Sequence, residues 1–291
     1  MNQVSTVHLG LIQMTCQEST PDNLEKAITK IRDAADRGAQ IICLQELFRT
    51  LYFCQEEDPK YFDLAETIPG PSTQALSKIA QEKNIVIIAS LFEKRTAGLY
   101  HNTTVVIEKD GSLLDIYRKM HIPHDPGFYE KFYFTPGDLG FKSIETSLAK
   151  VAVLICWDQW YPEAARLASL QGAQILFYPT AIGWSVDESP DNNKCQYDAW
   201  KTIQRSHAIA NGVFVASVNR TGPEKDIDFW GGSFVCDPFG EILHEAPHHE
   251  EALIIASCNL REIDHTRRTW PFLRDRRIDA YEGISQRFLD S

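Results

Sequence analysis

The sequence is short of cations. Across 291 residues, 40 acids oppose 29 Lys and Arg, a formal net charge of −11. Phosphate backbones are recognised by basic surfaces, so the composition argues for no nucleic-acid partner. Paired cysteines are missing too. Cys16, Cys43, Cys54, Cys156, Cys195, Cys236 and Cys258 make an odd set, with no CxxC spacing. That speaks against a disulfide framework or a zinc site of standard spacing, and for a reducing, cytoplasmic setting. Long apolar runs are absent. No stretch approaches the roughly 20 residues that cross a bilayer, and "MNQVSTVHLGLIQMTC" has no basic n-region before a long apolar core. No membrane partner and no signal peptide are expected. Low-complexity tracts and a Pro/Ser-rich linker are likewise lacking. One domain over 1–291 is therefore expected.

What is present alternates. "VHLGLIQM" reads as a strand. "TPDNLEKAITKIRDAADRG" follows with Leu24, Ala27, Ile28, Ile31, Ala34 and Ala35 at helical spacing and Gly38 as a stop. "AQIICLQE" reads as a buried strand ending at Glu46, "STQALSKIAQEKN" as a helix, "IVIIAS" as a strand. "HNTTVVIEKDGSLLDIYRK" predicts a hairpin turning at Asp110-Gly111. The pattern then restarts: strand "KVAVLICW", helix "YPEAARLASLQG", strand "AQILFYPT", helix "YDAWKTIQRSHAIANG", strand "VFVASVN", and a hairpin around Phe239-Gly240. "GAQII" at Gly38 and "GAQIL" at Gly172 sit at the same helix–strand junction. The order predicts an α/β fold of two similar halves. The segment 179–196 reads as a surface loop.

A few residues stand where chemistry is possible. Cys156 ends an apolar run just before a helix, where α/β proteins gather ligands and a helix N-terminus favours the thiolate. A core thiol and a nucleophile both remain open there. Glu46 ends a buried strand, where a carboxylate must be paired or protonated; a general base and a structural ion pair both fit. Lys119, amid aromatics, Pro and Gly, fits an oxyanion donor or a surface lysine. Glu130 alone reads as surface charge. His121 and His124 lack a third ligand at metal spacing and read as packing or hydrogen-bonding residues.

Taken together, "CLQELF", "RKMHIP" and "LICWDQWYPEAAR" resemble the nitrilase superfamily of carbon–nitrogen hydrolases, from "LGLIQM" to "RTWPFLRDRRIDAY". The resemblance implies a four-layer αββα sandwich. It implies Glu46, Lys119 and Cys156 as the catalytic set and Glu130 as the accompanying second glutamate. Glu46 is then the general base, Cys156 the nucleophile, and Lys119 with the Trp157 backbone N–H the oxyanion donors. No metal and no organic cofactor is implied. "KMHIPHDPGFYEKFYFTPGD" and "CWDQWYPEAARLASLQGAQILFYPTAIG" are most similar to the members that hydrolyse N-carbamoylputrescine. The expected ligand is therefore a small cationic molecule. Asp187 and Glu188 are candidates for its ammonium, with Tyr52, His121 and Trp184 as further candidate binding residues. The segment "GWSVDESPDNN" departs from that group's wording. An amidase or ureidopropionase-like enzyme, with Arg or Lys for an acidic far end, is the first alternative; a non-catalytic α/β binding protein is the second. The family likeness also implies a homo-oligomer, with a C-terminal arm over about 266–291 packing across a subunit interface.

Overall fold

The computed structural model describes residues 5–289. Its first half runs β1 (Thr6–Gln13), α1 (Thr20–Asp36), β2 (Ile41–Leu44), α2 (Pro71–Lys83), β3 (Val86–Thr96), β4 (Leu99–Ile107), β5 (Leu113–Arg118) and α3 (Glu130–Tyr133). The second half runs β6 (Ile144–Glu145), β7 (Lys150–Val153), α4 (Pro162–Leu170), β8 (Ile175–Thr180), β9 (Gly183–Ser185) and α5 (Pro190–Asn211). It continues through β10 (Phe214–Asn219), β11 (Thr221–Glu224), β12 (Ile227–Trp230), β13 (Phe234–Cys236), β14 (Ile242–Glu245), β15 (Ala252–Asn259) and α6 (Arg261–Thr269).

Two six-stranded sheets form, ordered β15-β1-β2-β3-β4-β5 and β14-β13-β10-β8-β7-β6. Alternation along each strand decides the layers. Leu9, Leu11, Ile41 and Cys43 face Val151, Val153, Ile175 and Phe177 in a core between the sheets. The opposite face of the first sheet, with Ile12, Ile42 and Leu44, is covered by Ala27, Ile31 and Ala34 of α1 and Leu76 and Ile79 of α2. The opposite face of the second, with Ala152, Leu154 and Leu176, is covered by Ala164, Ala165 and Ala168 of α4 and Trp200 and Ala208 of α5. Helix, sheet, sheet and helix give the four-layer αββα sandwich.

The helices carry their own boundary signals. Ser19 caps α1, its hydroxyl accepting from the Asp22 N–H at 3.4 Å. Gly10 lets the α1–β2 connection approach β1, since a Cβ there would lie 2.9 Å from that of Ala39. The segment 179–196 is only partly a loop, contrary to the sequence reading. β9 crosses it, and α5 starts at Pro190, seven residues before the predicted helix. The overlooked signal was Ser189-Pro190: the Ser189 hydroxyl accepts from Asn192 N–H at 3.3 Å and proline occupies the first helical position. Beyond α6, the chain up to Leu289 lies over the surface in short turns; the last two residues of the expected arm fall outside the described residues. Among the described residues, no helix is long and apolar enough to cross a membrane.

Candidate active site

β2 and β7 are both inner strands, and the chain leaves their carboxyl ends into one region. Glu46 lies two residues past β2 and is fully buried. Arg220, also fully buried, grips the bend that follows. Its guanidinium donates to the backbone oxygens of Leu47 and Thr50 at 2.9 Å and of Glu46 at 3.2 Å, and pairs with Glu224 at 2.7 Å. Leu47 takes a left-handed φ of 49° in this bend. Sequence reasoning missed Arg220; its position after the strand "VFVASVN" offered no pattern that separates a buried arginine from a surface one.

Lys119 follows β5 and is fully buried. Its ammonium lies 2.8 Å from Glu46 Oε1 and 2.6 Å from Glu130 Oε2. Asn102 Nδ2 donates to the same Glu46 oxygen at 2.7 Å, and the Tyr52 hydroxyl donates to Glu130 Oε1 at 2.8 Å. Glu46 Oε2 is buried without a hydrogen-bond partner. Three buried charges are thus tied into one network, with one carboxylate oxygen left over for further chemistry. Burial works against a charged Lys119, but Glu130 and Glu46 outweigh it and hold its pKa well above the usual lysine range. Burial likewise raises Glu130, to about 7, against the pull of Lys119.

Cys156 opens a short 3₁₀ turn, Cys156–Trp160, and is 4% exposed. Its φ of 43° is strained for a residue with a Cβ. Asp158 holds the turn. Its carboxylate accepts from Ile155 N–H (2.9 Å), the Tyr117 hydroxyl (2.7 Å) and His121 N–H (3.0 Å), and meets His121 Nδ1 at 2.7 Å. One buried carboxylate therefore ties the cysteine turn to the segment that follows Lys119. The sequence reading expected a helix N-terminus to favour the thiolate; the structure reverses this. Burial first, and then the Glu46 charge, push the Cys156 thiol well above its usual range, with Lys119 only partly opposing them. α4 begins at Pro162, beyond the 3₁₀ turn.

A cavity of about 460 Å³ opens over Cys156. Its walls include Phe128, Trp157, Trp160 and Trp230, with Asp125, Glu188 and Gln196 among the polar lining. Of the candidate binding residues, Glu188 lines it. Four do not. Tyr52 is buried behind Glu130 and faces a separate cavity with Glu224. His121 stacks on Tyr161, ring centroids 3.6 Å apart, and serves Asp158. Trp184 packs behind Trp230 and donates its indole N–H to the Asn193 carbonyl oxygen at 2.9 Å. Asp187 is exposed outside the lining. Side-chain type suggested these four; side-chain direction, which the packing sets, places them off the cavity lining. Asp125 was missed because "HDPG" reads as a turn.

A carbon–nitrogen hydrolase family model matches residues 8–268. The chain is 43% identical over 287 residues to N-carbamoylputrescine amidase of Arabidopsis thaliana, covering 96% of this chain and 95% of that one. It is 40% identical over 290 residues to a citrullinase of Francisella tularensis, covering 98% and 100%. The crystal structure of a carbon–nitrogen hydrolase from Helicobacter pylori G27 superposes with a TM-score of 0.95 at 48% identity, over 98% of this chain and 100% of that one.

Proposed function

The chain belongs to the carbon–nitrogen hydrolase family, and from that premise we propose that it hydrolyses N-carbamoylputrescine to putrescine, carbon dioxide and ammonia. The observation that carries the substrate is the charge of the cavity. Besides Cys156, the ionisable side chains among its described lining residues are Asp125 and Glu188, both acidic, and no Lys or Arg lines it. A ligand with a ureido group at one end and an ammonium at the other suits such walls; a ligand carboxylate would meet like charge without a counterion. The aromatic walls also favour a cation.

The roles follow from the network. Cys156 is a neutral thiol at rest, so it needs a base as it attacks. Glu46 Oε2 is the unpaired oxygen available to take that proton. The sulfur bonds to the ureido carbon, and the carbonyl electrons move onto oxygen. Lys119 has three N–H donors, two of them engaged by Glu46 and Glu130. The third can meet the oxyanion, together with the first-turn N–H of Trp157. Glu46 returns its proton to the departing amine as the C–N bond breaks. Water, deprotonated by Glu46, then attacks the sulfur-bound carbonyl, the C–S bond breaks as Glu46 returns that proton to the sulfur, and the released carbamate splits into carbon dioxide and the remaining amine. Glu130 keeps Lys119 charged and in place.

The seven free thiols support a cytoplasmic setting. Ile278, Ile284 and Phe288, each exposed along the C-terminal arm, support burial of that arm in a homo-oligomer. Ammonia release from N-carbamoylputrescine, N-carbamoyl-β-alanine, L-citrulline and an ω-amide, measured in parallel, tests the function. The first should be strongly preferred. Preference for a carboxylate-bearing substrate would overturn the reading of the cavity and favour the ureidopropionase-like alternative.

A further inference from the structure

The two acids of the cavity are not equivalent. Both are exposed, but Glu188, in the turn before α5, has a carboxylate that accepts from Gln196 Nε2 at 2.8 Å. Asp125 has no side-chain hydrogen bond or ion pair among the described residues. Its backbone is nonetheless fixed. Asp125-Pro126-Gly127-Phe128 is a tight turn, closed by Phe128 N–H donating to the Asp125 carbonyl oxygen at 2.8 Å, with Gly127 at a φ of 80°. Proline second and glycine third are what such a turn demands. Tyr129 N–H then donates to the Cys54 carbonyl oxygen at 2.8 Å. The loop carrying this turn is closed by the buried Lys119–Glu130 pair at 2.6 Å. Asp125 therefore rides on the same pinned loop as the proposed oxyanion donor, with Phe128 of the same turn as apolar wall.

We infer that Asp125 is the specificity-determining residue that meets the ammonium at the far end of the substrate. This rests on the functional reading above. An unpaired carboxylate at the cavity mouth keeps its full charge for a ligand cation, whereas Glu188 already spends part of its hydrogen-bonding capacity on Gln196. Its fixed offset from Lys119 acts as a ruler. The ureido oxygen is placed by one end of the loop and the ammonium by the turn within it, with methylenes against Phe128 between them. Chain length is then selected as well as charge.

The test compares kcat and KM of the wild type, Asp125→Asn and Glu188→Gln on N-carbamoylputrescine and on n-butylurea, which has the same chain without the ammonium. Asp125→Asn should lower kcat/KM on N-carbamoylputrescine by about tenfold, mainly through KM, and leave n-butylurea within about twofold. Activity on n-butylurea also reports that the variant is folded. Glu188→Gln should have the smaller effect. If Asp125→Asn keeps the wild-type preference for the charged substrate, the inference is overturned while the functional reading stands. If the wild type itself shows no preference for the charged substrate, the functional reading fails and this inference with it.

Discussion

The two halves of the molecule are built alike and do different work. In the first, Gln40 N–H donates to the His8 carbonyl oxygen at 2.8 Å and Gln40 Oε1 accepts from His8 N–H at 3.0 Å. In the second, Gln174 repeats both bonds with Lys150, at 2.8 and 2.9 Å. Gly38 and Gly172 turn each chain at φ of 94° and 95°. Counting onward from these anchors, Glu46 matches Thr180, and Cys156 matches Met14. The Glu46 N–H even reaches the Thr180 carbonyl oxygen, at 3.4 Å. Each half thus carries one acid or thiol at a strand end, and the matching position in the other half, Thr180 or Met14, has neither. The first half holds charge: Glu46, Lys119 and Glu130. The second holds a neutral thiol, most of the aromatic wall, and the Arg220 clamp. The lesson is that a duplicated scaffold can divide a site, with the Glu46–Lys119 pair on one copy and the Cys156 thiol on the other. The site exists only where strand ends of the two halves meet.

The sharpest break of that division is to remove either reactive end. Cys156→Ala should cost at least about 10⁴-fold in turnover, and Glu46→Gln about 10³-fold, with folding unchanged by circular dichroism. Substantial ammonia release from either would mean that another nucleophile or base is at work.

Glu130→Gln tests whether the charge of the first half serves Lys119. A loss of about 10²-fold in kcat is expected. It should also alter the pH dependence of stability. With its pKa raised to about 7, Glu130 keeps a proton in the fold where an unfolded glutamate, near 4.5, has lost it. Its contribution to stability is therefore complete below about 4.5, declines as pH rises, and is gone above about 7. Urea unfolding of the wild type and variant across that window should show their difference shrinking with pH; a constant difference would rule this out.

Asp158→Asn weakens the tie between the halves without emptying the space. A drop of about tenfold in kcat is expected, with KM little changed, because the cysteine turn loses its fixed placement. The smallest effect tests the likeness itself. No atom lies within 4 Å of a Cβ added at Gly38, and only the Lys150 side chain does at Gly172. Alanine at either should cost about 1 kcal/mol through backbone strain alone. Unequal costs in thermal unfolding would show that the two turns are not equivalent.

Much of this was legible beforehand. The α/β order of two similar halves and both hairpins could be read, because apolar period and turn residues record local burial; the αββα layering and the candidate set Glu46, Lys119 and Cys156 rested instead on the three-segment resemblance. β11 and β12 escaped, since "TGPEKDIDFW" mixes Gly, Pro and charge and takes strand form by β12 pairing with β11 on one side and β9 on the other. Asn102, Asp158 and Arg220 escaped because a polar residue inside or after an apolar run does not announce its partner.

By itself the sequence determined the alternation of strands and helices, which short runs set without any distant contact, and its three-segment likeness pointed to Glu46, Lys119 and Cys156 as candidates. Only the tertiary structure decided which charges pair, which thiol state results and which acids line the cavity. Lys119 meets Glu46 across 73 residues of chain. That meeting, and the burial that raises both Cys156 and Glu130, arise when the segments beyond the strand ends pack on one another and exclude water, which no local pattern encodes.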